Sequence, residues 1–494
     1  MALKHFLGLA TIALTAKAQS SASTAAACPS SIAPAHGAPS VAPGFRVQVV
    51  ANNLRDPRSL QFDSAGGLLV VEQGHGISRL QLTGDGACVR QTGSTQVVID
   101  DGRLNHGIAL SQDGRTLYGS TPSNVYSWQY NPQNGEVTGD STNLIEDMGE
   151  DQGHTTRTLL MSAKVPGMLL VSRGSVGNLD MQTLDVNSGV STIKAFNVSN
   201  VTDTAYQHPS QGLLLGWGLR NSVGVAEDPV SGAIYSVENS VDNLERSGKT
   251  INENNPGEEM NFHGYLNGTR SAVTGGNFGY PTCFSAWNVS EIPDNDGLQT
   301  GSNFAIGTQN ATVNDTYCKN DRIAPRITFN AHMAPLDIKI NTNGTAGWVS
   351  FHGSWNRENP IGYKLSMVEF DGNGSPTAAA NSTTAAVAIV SNPDLSKCPA
   401  ECFRPVGLAW DTKGRLFMSS DSTGEIYMIT KPDGSGINDV SRVSGGGSGG
   451  GSGTGSPSPS PTPSGSDGIR RWKVSQGSYW VAGAAAVGGA LPLV

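Results

Sequence analysis

One pattern recurs six times along the sequence: a polar or charged residue, an alternating apolar run, a turn with Asp or Gly, and a second apolar run. The copies begin at Arg58, His106, Arg157, Arg220, Ala334 and Arg404. Alternating apolar residues around a Gly-containing turn predict a β-hairpin. A small sheet leaves open edges, and a radial ring of sheets protects them. We therefore predict an all-β, six-bladed β-propeller over residues 28–440, since a two-sheet sandwich does not explain six copies.

The fourth and fifth copies are separated by a long stretch, residues 240–327, which is rich in Asn and Gly. It contains Cys283 and Cys318. We expect an insertion that is pinned by a disulfide and covers one face of the ring.

The N-terminal end of the chain predicts secretion. Lys4 precedes an apolar run, and Ala16-Lys17-Ala18 resembles a cleavage site, so residues 1–18 are predicted to be a signal peptide; a buried N-terminal helix is the alternative. Six cysteines in a secreted chain indicate disulfides, and a zinc site lacks the paired spacing it needs. Spacing suggests the pairs Cys28–Cys88, Cys283–Cys318 and Cys398–Cys402, although sequence alone does not fix them.

Several Asn-x-Ser/Thr sequons fit a glycosylated exterior, and they make a large bare interface less favourable, so we expect a monomer. They begin at Asn197, Asn200, Asn267, Asn288, Asn310, Asn314, Asn343, Asn373 and Asn381. The net charge of −9 argues against a nucleic-acid partner, which requires a basic face.

The C-terminal end differs in composition from the rest. Residues 441–468 form a Gly/Ser/Pro-rich linker, and residues 469–494 end in an apolar tail. Small residues, a basic spacer and a hydrophobic end predict a glycolipid (GPI) anchor signal, and hence a protein on the cell surface. A tail that rests on a membrane, or is simply removed, is the alternative.

The charged residues of the repeats lie in phase. Four arginines occupy one repeat position, and three histidines occupy nearly the same one: Arg58, Arg157, Arg220 and Arg404, with His106, His154 and His332. In a propeller, equivalent positions form a ring around the axis, so these side chains should meet at one mouth of the channel. Like charges repel, which indicates a polyanionic ligand there. The alternative is that each Arg bridges to a local Asp or carbonyl.

Eight segments around these positions carry a family resemblance. They read LRDPRS, LNHGIAL, GHTTRTLL, GLRNSVGV, HMAPLDI, FHGSWNRENPIGYK, FRPVGLAW and SSDSTGEIY. As a set they resemble the pyrroloquinoline quinone (PQQ)-dependent sugar dehydrogenases, in particular the fungal pyranose dehydrogenases of auxiliary activity family 12, over about residues 45–429. The resemblance implies the same six-bladed propeller.

The resemblance also implies roles for individual residues. His154 matches the family's catalytic base, and Arg220 with Asn221 matches residues beside the quinone oxygens. Arg404 matches an arginine that binds one of the three carboxylates of PQQ, for which a guanidinium is well suited. Further cofactor contacts are expected from Arg58, His106, His352 and Trp355. Calcium is expected on the backbone carbonyls of Ser240 and Val241, since it prefers oxygen ligands.

Three departures separate the chain from the bacterial glucose enzymes. Cys402 replaces an Arg, Arg173 stands where an Asp pairs with the catalytic His, and His352-Gly-Ser-Trp355 replaces a segment with a Lys. They favour the fungal and sorbosone branches. The expected substrate is a pyranose such as 2-keto-glucose or fucose, and the expected electron acceptor is external, such as a cytochrome b.

Two other functions remain open on the sequence. One is a calcium-dependent propeller lactonase or esterase, whose metal ligands would be Glu72, Glu238 and Asp421. The other is a non-catalytic cell-wall binding propeller, because a fold alone does not establish activity.

Overall fold

Each repeated segment forms two antiparallel strands joined by a turn, and the turn chemistry is shared. In the computed structural model, which describes residues 31–149, 153–200 and 204–443, Asp63 Oδ1 accepts hydrogen bonds from Ala65 N and Gly67 N. Asp228 Oδ1 and Asp411 Oδ1 accept backbone N–H groups in the same way. Aspartates that cap their own turn stabilise the hairpin locally, as the repeat predicts.

The first half of the chain builds three sheets. Two strands precede the first repeat: β1 (Ser40–Val41) and β2 (Arg46–Ala51). Blade one contains β3 (Pro57–Phe62), β4 (Leu68–Glu72), β5 (Gly76–Asp85) and β6 (Cys88–Ile99). Blade two contains β7 (Ile108–Leu110), β8 (Thr116–Ser120), β9 (Val125–Asn131) and β10 (Glu136–Glu146). Blade three contains β11 (Leu159–Met161), β12 (Met168–Arg173), β13 (Thr192–Asn197) and β15 (Leu213–Trp217), while β14 (Tyr206–Gln207) pairs with β10.

The second half builds three more. Blade four contains β16 (Ser222–Glu227), β17 (Ala233–Glu238), β20 (Glu258–Tyr265) and β24 (Ile327–Phe329). Between them lie β18 (Glu245–Arg246), β19 (Lys249–Thr250), β21 (Gly276–Asn277), β22 (Cys283–Ser285), β23 (Asn303–Ala305) and α1 (Asp315–Asp321). Blade five contains β25 (Pro335–Ile340), β26 (Ala346–Phe351), β27 (Lys364–Glu369) and β28 (Ala386–Ser391), extended by β1. Blade six contains β29 (Pro405–Trp410), β30 (Leu416–Ser420) and β31 (Glu425–Thr430). Short 3₁₀ turns occupy Met181–Leu184, Val186–Ser188, Val198–Asn200, Val289–Glu291 and Leu395–Lys397.

The six sheets close into a ring, which confirms the predicted propeller. The inner strands pack in the order β3, β7, β11, β16, β25 and β29, and β29 packs against β3. The N-terminal β2 pairs with β31, with Arg46 opposite Thr430, and so completes the last blade. The core lies between blades: six apolar clusters each join two neighbours, as where Trp348 of blade five packs with Tyr427 of blade six. The inner strand of each sheet lies at the edge nearest the axis and packs against the inner strands of its two neighbours, which protects that edge.

The stretch between the fourth and fifth repeats differs from the prediction. It is not wholly an insertion, because β20 and β24 are the outer strands of blade four and β21 joins blade three. The remainder has its own small core and the predicted Cys283–Cys318 disulfide. Its apolar residues, among them Tyr280, Phe284 and Phe304, pack against each other as a separate cluster.

The other predicted features of the chain are partly visible. Cys398–Cys402 is formed, and Cys88 is disulfide-bonded, while its predicted partner Cys28 lies outside the described residues. The predicted signal peptide, the linker beyond residue 443 and the C-terminal tail also lie outside them. Within the described part of the chain, no helix has the length and apolar character needed to cross a membrane.

Serines on the second strands fasten neighbouring blades together. Ser419 Oγ accepts a hydrogen bond from Gly407 N (2.8 Å) in its own blade and donates to the carbonyl of Arg58 (2.6 Å) in blade one. Ser350 bonds in the same pattern to Asp337 N and Val406 O. We call these bonds the blade clasps. Each joins two inner strands across a blade boundary.

We expect Ser419→Ala to destabilise the protein by about 1–3 kcal/mol, because it leaves a buried N–H and a buried carbonyl without partners. Chemical denaturation would measure the loss. Ser64→Ala, at an exposed turn of blade one, is the matched control and should change the unfolding free energy by less than about 0.5 kcal/mol. Equal stability of the two variants would contradict a role for the clasp.

Candidate active site at the channel mouth

The residues that precede the inner strands lie at one end of the ring. Around Asp421, which follows β30, the structure brings together residues of blades five, six and one. Asp421 accepts from Arg58 Nη1 (2.7 Å) and bonds to His352 Nε2 (2.9 Å). Arg404 donates to the carbonyls of His352 (3.2 Å) and Gly353 (2.9 Å). Two arginines of the predicted ring, Arg58 and Arg404, therefore lie near one another here, with the carboxylate of Asp421 beside them.

Charge and burial set the protonation of this cluster. Burial lowers the pKa of His352 to about 4; Asp421 opposes this shift, and Arg404 and Arg58 add to it. Burial raises the pKa of Asp421, but His352, Arg58 and Arg404 together hold it below its ordinary range. Asp421 is thus an anion at neutral pH, and His352 is a neutral imidazole.

Several donors at this mouth have no acceptor among the described residues. Arg58 uses only Nη1, and its buried Nε is unpaired. Arg404 uses Nε and Nη2, which leaves Nη1. The Nδ1 atom of buried His106 is also without a partner, and burial lowers the pKa of its ring. Buried polar atoms are normally satisfied, so the cluster is suited to an anion with several acceptor oxygens.

A second cluster surrounds Asp242 on the side of blades three and four. Arg220 donates to Asn178 O (3.2 Å), Asn239 O (3.2 Å), Asn178 Oδ1 (2.9 Å) and Asp242 Oδ2 (3.0 Å). A guanidinium has five N–H groups, so one hydrogen on Nη1 is left for a ligand. The alternative that each Arg bridges to a local Asp or carbonyl therefore applies in part to Arg220, because protein groups accept four of its five N–H hydrogens. Arg157 likewise donates to the carbonyls of His154 and Met148.

Asp242 also connects segments that are far apart in the sequence. Its Oδ1 accepts from Asn356 (2.7 Å) and lies 3.4 Å from His332 Nδ1. His332 Nε2 bonds to the Asn252 carbonyl at 2.6 Å. Although burial lowers the pKa of His332, Asp242 and Glu258 raise it by more. The loop around Trp355, whose side chain is 56% exposed, is thereby attached to the site through its neighbour Asn356.

The hydrogen bonds of His154 define its tautomer. Its Nδ1 lies 3.0 Å from Ser175 O and 2.9 Å from Ser175 Oγ. Ser175 Oγ donates its own hydrogen to Gly177 O (2.7 Å), so it accepts from the imidazole, as does the carbonyl. The hydrogen therefore sits on Nδ1, and Nε2 presents a lone pair. Burial and Arg220 lower the pKa of His154 to about 3, which keeps this nitrogen free of a proton.

Gly174 explains how His154 and Asn221 come so close. A Cβ at position 174 would lie 2.7 Å from the Asn221 Oδ1 and 2.7 Å from the His154 Cβ. Only glycine fits between them. The sequence reasoning missed this residue, because its single signal is one small residue at the end of β12.

The predicted calcium ligands satisfy a simple test. No described donor bonds to the carbonyl oxygen of Ser240 or of Val241, and both lie within three residues of the end of β17. The N–H of Ser240 donates to buried Glu258 (2.6 Å), which fixes the turn. Two free carbonyls beside Asp242 form an oxygen-only donor set of the kind that calcium prefers. Side chains alone give no such site: among the described residues, no three His, Cys, Asp or Glu are grouped as metal ligands.

The three carboxylates proposed as metal ligands of a hydrolase do not form a shared set of ligands. Glu72 binds Ser78 and Arg55 N, Glu238 binds Arg220 N and Asn261, and Asp421 binds Arg58 and His352. Each is thus engaged by a different set of protein donors.

Beneath Arg220, the paired strands β17 and β20 bury several glutamates, and Glu238 lies opposite Glu259. Burial and Glu258 raise the pKa of Glu259 to about 7, although Asn261 donates to it. Because this pKa is above the ordinary 4.5, folding favours the protonated carboxyl of Glu259. Its contribution to the free energy of unfolding is complete below pH 4.5 and is lost as the pH rises through 7.

We therefore expect Glu259→Gln to be close to the parent in stability at pH 5 and more stable by on the order of 2 kcal/mol at pH 8. Urea unfolding at the two pH values measures the difference. Glu136→Gln, on an exposed strand end, should show no such pH dependence. A Glu259→Gln variant that is less stable at pH 8 would contradict the assignment.

Sequence reasoning named most residues of the mouth but missed the groups that orient them. Asp242, Ser175 and Asn178 lie outside the segments that carry the family resemblance, and Asn356 lies within one of them but was given no role. Asp421 was considered only as a metal ligand. The signal that was present for it is its place in the sixth repeat, where it follows β30 at the level of the arginines.

Comparisons with known proteins identify the family of this chain. A family model described as TrAA12-like matches residues 39–432. The pyrroloquinoline quinone-dependent sugar dehydrogenase of Hypocrea jecorina (strain QM6a) is 45% identical over 403 residues, which are 81% of this chain and 91% of that protein.

Two solved structures share the fold and much of the sequence. The calcium structure of Trichoderma reesei Carbohydrate-Active Enzymes Family AA12 has a TM-score of 0.79 and 45% identity, covering 82% of this chain and 99% of that one. The holo form of the pyranose dehydrogenase PQQ domain from Coprinopsis cinerea has a TM-score of 0.76 and 36% identity, covering 82% and 99%.

Proposed function

Because the chain belongs to the TrAA12-like family, we propose that it is a PQQ-dependent dehydrogenase that oxidises a pyranose sugar. The observation that carries the proposal is a set of polar atoms at the channel mouth: Arg58 Nε and His106 Nδ1 have no partner among the described residues, and Arg404 has Nη1 left over. PQQ has three carboxylates, and guanidinium groups bind carboxylates through directional, charge-assisted hydrogen bonds. The names of the Hypocrea and Coprinopsis relatives support the same cofactor.

The cofactor pocket is divided between two sides of the mouth. Arg58 and Arg404 bind carboxylates on the blade-six side, with His106, His352 and Trp355 around them. Asn221 and the remaining Nη1 hydrogen of Arg220 bind on the blade-four side. The carbonyls of Ser240 and Val241 would hold the metal, and the calcium structure of a relative supports calcium as that metal. When bound, PQQ would supply a quinone able to take up a hydride from the sugar carbon that bears the reacting hydroxyl.

His154 provides the base. Its Nε2 lone pair takes the proton of the reacting hydroxyl, and Nδ1 remains bonded to Ser175. Arg220, held by Asp242 and Asn178, keeps positive charge beside the place where negative charge develops. Among the described residues, Nδ1 of His154 bonds to Ser175 and not to a carboxylate, and Arg173 stands at the position where the bacterial enzymes have an Asp.

We propose a pyranose such as 2-keto-glucose or fucose as substrate, and an external acceptor such as a cytochrome b for the electrons. The lactonase and the binding propeller are not favoured by any single contact. The separate partners of Glu72, Glu238 and Asp421 give a hydrolytic metal no shared set of ligands.

The test is a titration of the purified, metal-stripped protein with PQQ, with and without calcium. Visible absorbance and dye reduction are followed across a panel of pyranoses. We expect saturable, calcium-dependent binding and sugar-dependent bleaching. Absence of binding with every metal would overturn the proposal and leave the propeller without its assigned chemistry.

We also propose that the protein is secreted, glycosylated and anchored to the cell surface as a monomer. Exposed sequon asparagines support the exterior assignment, among them Asn267, Asn310, Asn343 and Asn381. Endoglycosidase treatment of the native protein should lower its mass, and an unchanged mass would contradict glycosylation.

A further inference from the structure

The net charge of the protein groups at the mouth does not balance the charge of the proposed ligand. Around His352 lie one anion, Asp421, and two cations, Arg58 and Arg404; His106 faces the same pair, Arg58 and Asp421. A further cation, Lys339, is neutralised by two hydrogen bonds to Asp337. The side that binds carboxylates therefore carries about one net positive charge. PQQ brings three carboxylates, all ionised at neutral pH.

A bound polyanion changes which protonation state of a nearby imidazole is favoured. Positive neighbours and burial keep a histidine neutral, whereas negative charge at hydrogen-bonding distance favours the imidazolium. In the protein alone, burial and nearby arginines lower the pKa of three histidines of the mouth, namely His106, His154 and His352. Cofactor binding should therefore be accompanied by protonation of at least one of them.

The hydrogen-bond partners distinguish the three. His352 already has Asp421 at 2.9 Å from Nε2, so its imidazolium would keep an ionised acceptor on that side and present Nδ1–H to the ligand. The buried Nδ1 of His106 has no acceptor among the described residues. His154 donates its Nδ1 hydrogen to Ser175, and in the part of the chain that the structure describes no carboxylate accepts from this ring.

We infer that His352 takes up a proton when the polycarboxylate cofactor binds, so that the His352–Asp421 pair acts as a proton-linked part of the cofactor pocket. The inference rests on the proposed function. It makes affinity depend on pH: each bound proton strengthens binding tenfold for each unit by which the pH falls, over the range in which His352 changes state.

The experiment is calorimetric titration of the full, calcium-loaded protein with PQQ at pH 6.5 in buffers of different ionisation enthalpy. The dependence of the observed heat on that enthalpy gives the number of protons taken up. We expect roughly one proton per cofactor for the parent protein. His352→Asn should lose most of this uptake, whereas His36→Asn, at an exposed position, should retain it.

The outcomes separate the inference from the function on which it depends. If the parent protein does not bind PQQ, the proposed function fails. If PQQ binds and His352→Asn takes up as many protons as the parent, the inference alone is overturned. Should that variant not fold, ¹⁵N shifts of the histidine rings of the parent decide: an imidazolium signal from His352 that arises on binding supports the inference, and a neutral ring in the complex refutes it.

Discussion

Replacing His154 by alanine is expected to lower turnover by about 10²–10⁴-fold and to leave PQQ binding nearly unchanged. His154 points its free Nε2 away from Ser175, and its side chain is not needed to hold Arg220, whose partners are Asn178, Asn239 and Asp242. Steady-state kinetics with a saturating sugar, together with a PQQ titration of the same preparation, would measure both quantities.

The control for this substitution is His36→Ala, at an exposed position outside the mouth, which should keep full turnover. If His154→Ala also kept full turnover, another group would be the base. A variant that lost turnover only because it lost cofactor would place His154 among the binding residues instead.

Arg404→Ala is expected to weaken PQQ binding by about 10–100-fold, equivalent to about 1.5–3 kcal/mol for a hydrogen bond to a charged group. Arg404 is fixed by two carbonyls and lies 5.6 Å from the centre of the Tyr363 ring, so its remaining Nη1 is already oriented. Once the variant is saturated with cofactor, its turnover should be close to that of the parent. Equilibrium dialysis of PQQ, followed by kinetics at saturation, separates the two effects.

Arg404→Lys distinguishes geometry from charge. A lysine keeps the positive charge but lacks the planar fork, so its affinity should fall between those of the parent and the alanine variant. Arg103→Ala is the control, because Arg103 pairs with Asp101 on the surface. Normal PQQ affinity in Arg404→Ala would remove Arg404 from the site.

The fold was predictable because its information is local and repeated. Each hairpin carries its own alternation and its own turn residue, as Asp63 does in blade one. What could not be predicted is pairing between distant segments. The pairing of β2 with β31 and the assignment of β20 and β24 to blade four depend on which edge is left vacant by the rest of the ring. No residue type in these strands indicates which sheet edge they join.

The residues of the site likewise fall into those that the repeats predict and those that depend on contacts between distant segments. Arg58, Arg404 and His154 were found because they occupy equivalent positions in repeats, and the structure places them at the mouth. Ser175 was missed because it acts partly through its carbonyl, which every residue possesses. Asp242 was missed because its importance comes from three partners that are remote in sequence, Arg220, His332 and Asn356.

The pairing of β2 with β31 also determines how the protein faces its surroundings. Inner strands begin at the mouth, so the antiparallel strands that follow place Ile426 near the mouth and Thr430 at the opposite face. Arg46 lies beside Thr430, and the chain then runs past Asn341 and Thr342 on that same face. Entry and exit of the ring are therefore neighbours on its back. A tether attached after Thr430 would hold the disc from behind, with the mouth turned outward toward soluble sugars and electron acceptors.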